Sequence, residues 1–119
     1  MTEAEASARA IVDIFATGDL DAISSAVADD YIDHQGLGQI EIRGRQGFRQ
    51  VVEAVHRYSD VRVTIEDIVA AQDKAAVRLR WHGINPSGRT VIRETLDLLR
   101  FVEGRLVEHW GAELFRREI

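Results

Sequence analysis

The chain has 119 residues, 45% of them apolar and 29% charged, with a formal net charge of −5. That is enough for one sizeable core, and the expectation is a single domain over residues 1–119. Its fifteen Lys and Arg form no runs, which argues against a nucleic-acid surface, and the absence of cysteine excludes disulfides, thiolate nucleophiles and zinc–thiolate sites. The start, MTEAEASARA, is acidic and lacks the basic-then-apolar texture of a secretory signal. No stretch is long and apolar enough for a membrane span, so a cytoplasmic protein with no membrane partner is expected.

In chain order, Thr2 and Glu5 form a capping box. Ala8, Ile11, Val12 and Phe15 then recur at helical spacing, and Gly18 closes the helix. Asp19 can cap a second, shorter helix with Leu20, Ile23 and Val27 on one side. DDYIDHQGLGQIEIRG reads as irregular, with a short strand at Gln39–Ile42. A third helix is expected from about Gln46 to Tyr58, with Phe48, Val51, Val52 and Val55 as its apolar stripe. After Asp60 the texture becomes that of strands: VRVTIEDIVA and AAVRLRWHG alternate, and TVIRETLDLLRF and RLVEHWGAELF flank a turn. Three helices followed by four antiparallel strands make an α+β fold, with the helices packed on the concave face of a strongly curved, mostly antiparallel sheet and one pocket at the open end.

The closing hairpin carries the most chemistry. A three-residue turn ending on Gly104 would set Phe101 opposite Arg105, Asp97 opposite His109 and Thr95 opposite Gly111. One face would then hold Thr95, Asp97, Leu99, Val107 and His109, and the other Leu96, Leu98, Glu108 and Trp110. A two-residue turn on Glu103 and Gly104 is the competitor, and would set Asp97 opposite Trp110. The first register is favoured because it gives carboxylate and imidazole a partner each. Such a pair can move a proton beside a carbonyl, or it can simply pin the register.

Elsewhere, His34, after the acidic Asp33 in YIDHQ, can line the pocket mouth, or the two can be solvated groups of a helix-exit loop. Trp81 shares a strand face with Val77 and Leu79, whereas His82 has the opposite parity. The four histidines include no helical i,i+4 pair, and no HExxH, phosphate-binding loop or G-x-S-x-G elbow is present, so neither metal nor cofactor is expected. Proline inside NPS disqualifies it as a glycosylation site.

Several segments together resemble the SnoaL-like polyketide cyclases, within the nuclear transport factor two-like (ketosteroid isomerase-like) superfamily. They are DDYIDHQ, GRQGF, DVRVTIEDIVAAQDKAAVRLRWHG, PSGR and LDLLRFVEGRLVEHWG, in that order over nearly the whole chain. The resemblance implies an α+β cone and a cofactor-free aldol closure with an aspartate as acid/base. Its relatives commonly carry that aspartate after the HW tryptophan, where this chain has Gly111, and the loop INPSGR is shorter than in many of them. The expected function is acid/base chemistry on a small hydrophobic carbonyl compound. Asp97 and His109 would handle protons, His34 would assist, and Tyr31, Phe48, Trp81, Thr95 and Leu99 would shape the pocket. The alternatives are a non-catalytic binding or dimerisation module, and an epoxide hydrolase, isomerase or dehydratase. The apolar face with Leu96, Leu98 and Trp110 predicts a homodimer through the sheet.

Overall fold

The computed structural model describes residues 1–34 and 41–119. Helix α1 (Glu3–Thr17) starts where the Glu5 N–H donates to the Thr2 hydroxyl at 3.0 Å. It ends at Gly18, whose φ of 74° lies in the left-handed region. Asp19 then accepts a hydrogen bond from the Asp21 N–H and opens a 3₁₀ turn over Leu20–Ala22, followed by the single turn of α2 (Ile23–Ala26). The second helix is therefore shorter than expected. Val27, expected on its apolar side, instead begins strand β1 (Val27–Asp33).

Strand β2 (Ile42–Arg43) pairs with the end of β1, and α3 (Gly44–Val55) follows, starting and ending slightly earlier than the sequence reading placed it. The expected strand at Gln39–Ile42 falls partly outside the described residues. Four long strands complete the chain: β3 (Ser59–Ala71), β4 (Lys74–Ile84), β5 (Thr90–Val102) and β6 (Arg105–Glu118). They form one sheet in the order β2-β1-β6-β5-β4-β3. The α+β cone and the mostly antiparallel sheet are as expected, but the sheet has six strands, one pair of which runs parallel. β1 runs parallel to β6, its neighbour in space and the strand farthest from it in sequence. The exposed Asp29-Asp30 pair in the middle of β1 interrupts the alternation that would mark a strand.

The core fills the space between the helices and the concave sheet face. Phe48 of α3 is the largest fully buried side chain, and its ring meets Phe15 at 5.3 Å and Tyr31 edge-on at 5.6 Å. Each such pair adds about 0.5–1.5 kcal/mol beyond burial. Val27, Val52, Val77 and Leu106 close the layer beneath.

Two irregularities in β6 decide what faces this core. The hairpin turn is the two-residue competitor: Glu103 (φ 51°) and Gly104 (φ 77°) are both left-handed, and Val102 pairs with Arg105. Phe101 pairs with Leu106, but Arg100 pairs with Glu108, so Val107 is an extra, bulged residue. The expected three-residue turn is thus incorrect, and so is Val107 as a member of the inner face; Leu106 takes that place. The bulge reverses the parity that the turn alone would give and returns His109 to the concave side. A second bulge lies at Leu114, between the Thr95–Glu113 and Glu94–Phe115 pairs.

Candidate functional site

The concave face, α1 and α3 enclose a cavity of about 580 Å³. Its walls are largely apolar, with Ile11, Phe15, Val51, Val55, Val77 and Leu79 among them. The polar groups are concentrated at the closed end and at the mouth.

At the closed end, His109 sits between two carboxylates. Its Nδ1 is 2.9 Å from Asp33 Oδ1 and its Nε2 is 2.7 Å from Asp97 Oδ1. Three strands supply the trio. β1 brings Asp33 level with His109 by parallel pairing, and β5 brings Asp97. Asp97 lies directly opposite Gly111, so it meets His109 on the diagonal and not face to face as the expected register had it. The glycine allows this approach. A Cβ at position 111 would lie 2.6 Å from Asp97 Oδ1 and 3.0 Å from His109 Nε2.

The network runs on in both directions. The Thr95 hydroxyl donates to Asp97 Oδ2 at 2.7 Å, and the Trp81 indole N–H donates to Thr95 at 2.9 Å. On the other side the Tyr31 phenol lies against Asp33. Among the described residues no buried side-chain nitrogen or oxygen lacks a partner.

The electrostatics follow from this geometry. Burial works against a charged imidazole, but the hydrogen bonds to Asp33 and Asp97, reinforced by their charges, outweigh it and raise the His109 pKa from 6.5 to about 9. The ring is an imidazolium at neutral pH and donates from both nitrogens. Burial, with the adjacent Asp33 carboxylate adding to it, pushes the Tyr31 phenol far above its ordinary range, so it remains a neutral hydroxyl.

Tyr31, Phe48, Trp81, Thr95 and Leu99 all line the cavity, as do Asp97 and His109. His34 does not. It directly follows Asp33, the last residue of β1, and the continued alternation sends it to the opposite face. There its Nε2 lies 2.9 Å from Glu108, and its ring stacks on Trp110 at 4.9 Å. Glu108 also accepts from Arg100 at 2.7 Å; the bonds from His34 and Arg100 hold its carboxyl below the usual range. Asp33 is the residue that the sequence reading passed over in favour of its neighbour. Reading YID as a strand, with Tyr31 and Asp33 on one side, was the signal that could have found it. Among the described residues no group of three or more His, Cys, Asp or Glu is placed to hold a metal ion. No helix among them is long and apolar enough to cross a membrane.

Comparison with known proteins agrees with this architecture. The model of the SnoaL-like polyketide cyclase family matches residues 5–113. A proposed polyketide cyclase from Bacillus cereus superposes with a TM-score of 0.82 at 23% identity, over 95% of this chain and 75% of that one. IdmH, a proposed polyketide cyclase from Streptomyces antibioticus, gives 0.80 at 25% identity, over 95% and 93%. The Δ5-3-ketosteroid isomerase of a Mycobacterium species gives 0.78 at 15% identity, over 94% and 93%, a likeness of fold alone. No curated protein sequence matches.

Proposed function

Because the chain belongs to the SnoaL-like polyketide cyclase family, we propose that it is an acid/base enzyme acting on a small, largely apolar carbonyl compound, with Asp97 as the group that takes and returns the proton. The observation that carries this reading is His109 held between Asp33 and Asp97 at the closed end of an apolar cavity. With both ring nitrogens donating, His109 cannot also accept a proton. It acts as a fixed positive charge beside Asp97, and Asp33 holds the ring in that orientation.

The chemistry this supports is ring closure by aldol addition. Asp97 removes a proton from the carbon next to one carbonyl. The carbon's electron pair attacks a second carbonyl of the same molecule, forming the C–C bond and sending the C=O pair onto oxygen. Asp97 then returns the proton to that oxygen, so the enzyme ends as it began. The aspartate that relatives carry at position 111 has a spatial substitute here. The Asp97 carboxylate occupies the space in which a side chain at 111 would begin.

A direct test is solvent deuterium exchange at the carbon next to the carbonyl of an apolar aryl ketone, followed by NMR. The native chain should catalyse exchange, and Asp97→Asn should slow it by roughly 10²–10⁴-fold. A second reading, a binding domain without chemistry, draws on the same network. Both nitrogens of His109 and both oxygens of Asp97 already have protein partners. Tight binding of the ketone with no exchange above background would favour that reading.

A further inference from the structure

Building on the proposed function, we propose that the cavity mouth is a carboxylate-binding subsite, in which Arg93 and Arg116 hold an anionic substituent at the end of the substrate remote from Asp97. Both arginines line the cavity, and they are direct cross-strand partners on β5 and β6. Like charges placed opposite each other on a sheet oppose folding. The pair exists only because of the bulge at Leu114. Were Leu114 paired in the ladder instead of bulged out, the parity set by Glu113 would turn Arg116 to the outer face.

The neighbouring groups leave the site positive. Glu113 accepts from Arg93 Nε at 2.7 Å. Glu118 lies 3.4 Å from Arg89 Nε and accepts from Asn85. Arg116 lies against the Tyr58 hydroxyl and feels the charges of Glu113 and Glu118 at longer range, with no direct ion pair among the described residues. His82, also at the mouth, has its ring nitrogen on the Asp60 carbonyl. Among the residues that line the cavity here, two guanidiniums, Arg93 and Arg116, thus stand beside one carboxylate, Glu113. At the closed end the balance is reversed, with two carboxylates around one imidazolium. A carboxylate entering this cavity is drawn to the mouth and turned away from the floor, which fixes which end of the substrate reaches Asp97. Arg93 and Asp97 are four residues apart on β5, roughly 13 Å along the strand, and arginine side chains shorten that gap. Two fused aromatic rings span the remainder.

The test compares 6-acetyl-2-naphthoic acid with its primary amide, by calorimetric titration at low ionic strength. The two differ only in the charge at the end remote from the ketone. The acid is expected to bind at least tenfold more tightly than the amide. Arg93→Gln with Arg116→Gln should bring the two within twofold by weakening the acid alone. Equal affinities in the native chain, failure of both ligands to bind, or a preference that survives in the double variant would each overturn the subsite. The outcome is separable from that of the proposed function. Preference for the acid with no deuterium exchange would reject the chemistry and keep the subsite. Exchange without preference would do the reverse.

Discussion

Gly111 shows how closely the closed end is fitted. Only hydrogen stands where a side chain would meet Asp97 and His109. Gly111→Ala should force the carboxylate off the ring, lower the His109 pKa in an NMR titration and cost about 1–3 kcal/mol in stability. An unchanged titration would mean that Asp97 swings aside without releasing the ring. The buried imidazolium has a second consequence. Its pKa rises from 6.5 to about 9 on folding. The stability it adds is therefore fully present below about pH 6.5 and is lost as pH climbs through 9, on the order of 3 kcal/mol in all. Denaturation midpoints at pH 6 and pH 10 would reveal this slope, and Asp97→Asn should flatten it. A slope equally steep in that variant would place its origin elsewhere. The Asp97–His109 contact is legible in the sequence because one hairpin carries both residues. The Asp33–His109 contact is not, since it spans 76 positions and depends on a parallel pairing that no local pattern announces.

At the level of elements, the helix ends and the long strands are readable because their signals are local: Thr2 with Glu5, the left-handed Gly18, and the alternation through β3 and β4. Bulges have no such signature. The sequence reading reached the correct face for His109 from an incorrect turn, because a three-residue turn and a two-residue turn followed by one bulge give the same parity. Removing the bulge separates the two. Deletion of Val107 should leave the Glu103-Gly104 turn and the Phe101–Leu106 and Arg100–Glu108 pairs intact and keep His109 on the concave face, whereas after a three-residue turn without a bulge the same deletion would rotate it to the outer face. The expected result is a folded protein, or one destabilised by about 1–3 kcal/mol through disturbed packing, whose histidine still titrates near 9. Deletion of Val102 instead, ahead of the turn, should disrupt the hairpin itself. A histidine that fell to its ordinary range in the Val107 deletion would show that Val107 holds a place in the ladder.

For the molecule as a whole, the convex sheet face is the unfinished surface. Leu96 is 46% exposed, Leu98 38%, Leu114 51% and Phe115 39%, with Trp110 half-buried among them. This is more clustered apolar area than a small monomer usually leaves in water. A second copy of the chain is the expected cover, with Trp110 at or near the contact. Sedimentation at micromolar concentration should give a dimer, and Leu98→Glu should give a folded monomer; a monomeric native chain would refute the expectation. The same sheet carries the cavity chemistry on its other side, on strand β6, and each of its two bulges holds a residue that the ladder does not need. A lineage that lost the single codon for Val107 or for Leu114 would straighten the strand and leave His109 and Arg116 facing the cavity. The two bulges are therefore spare codons, at which descendants of this chain can lose a residue without turning a reactive side chain.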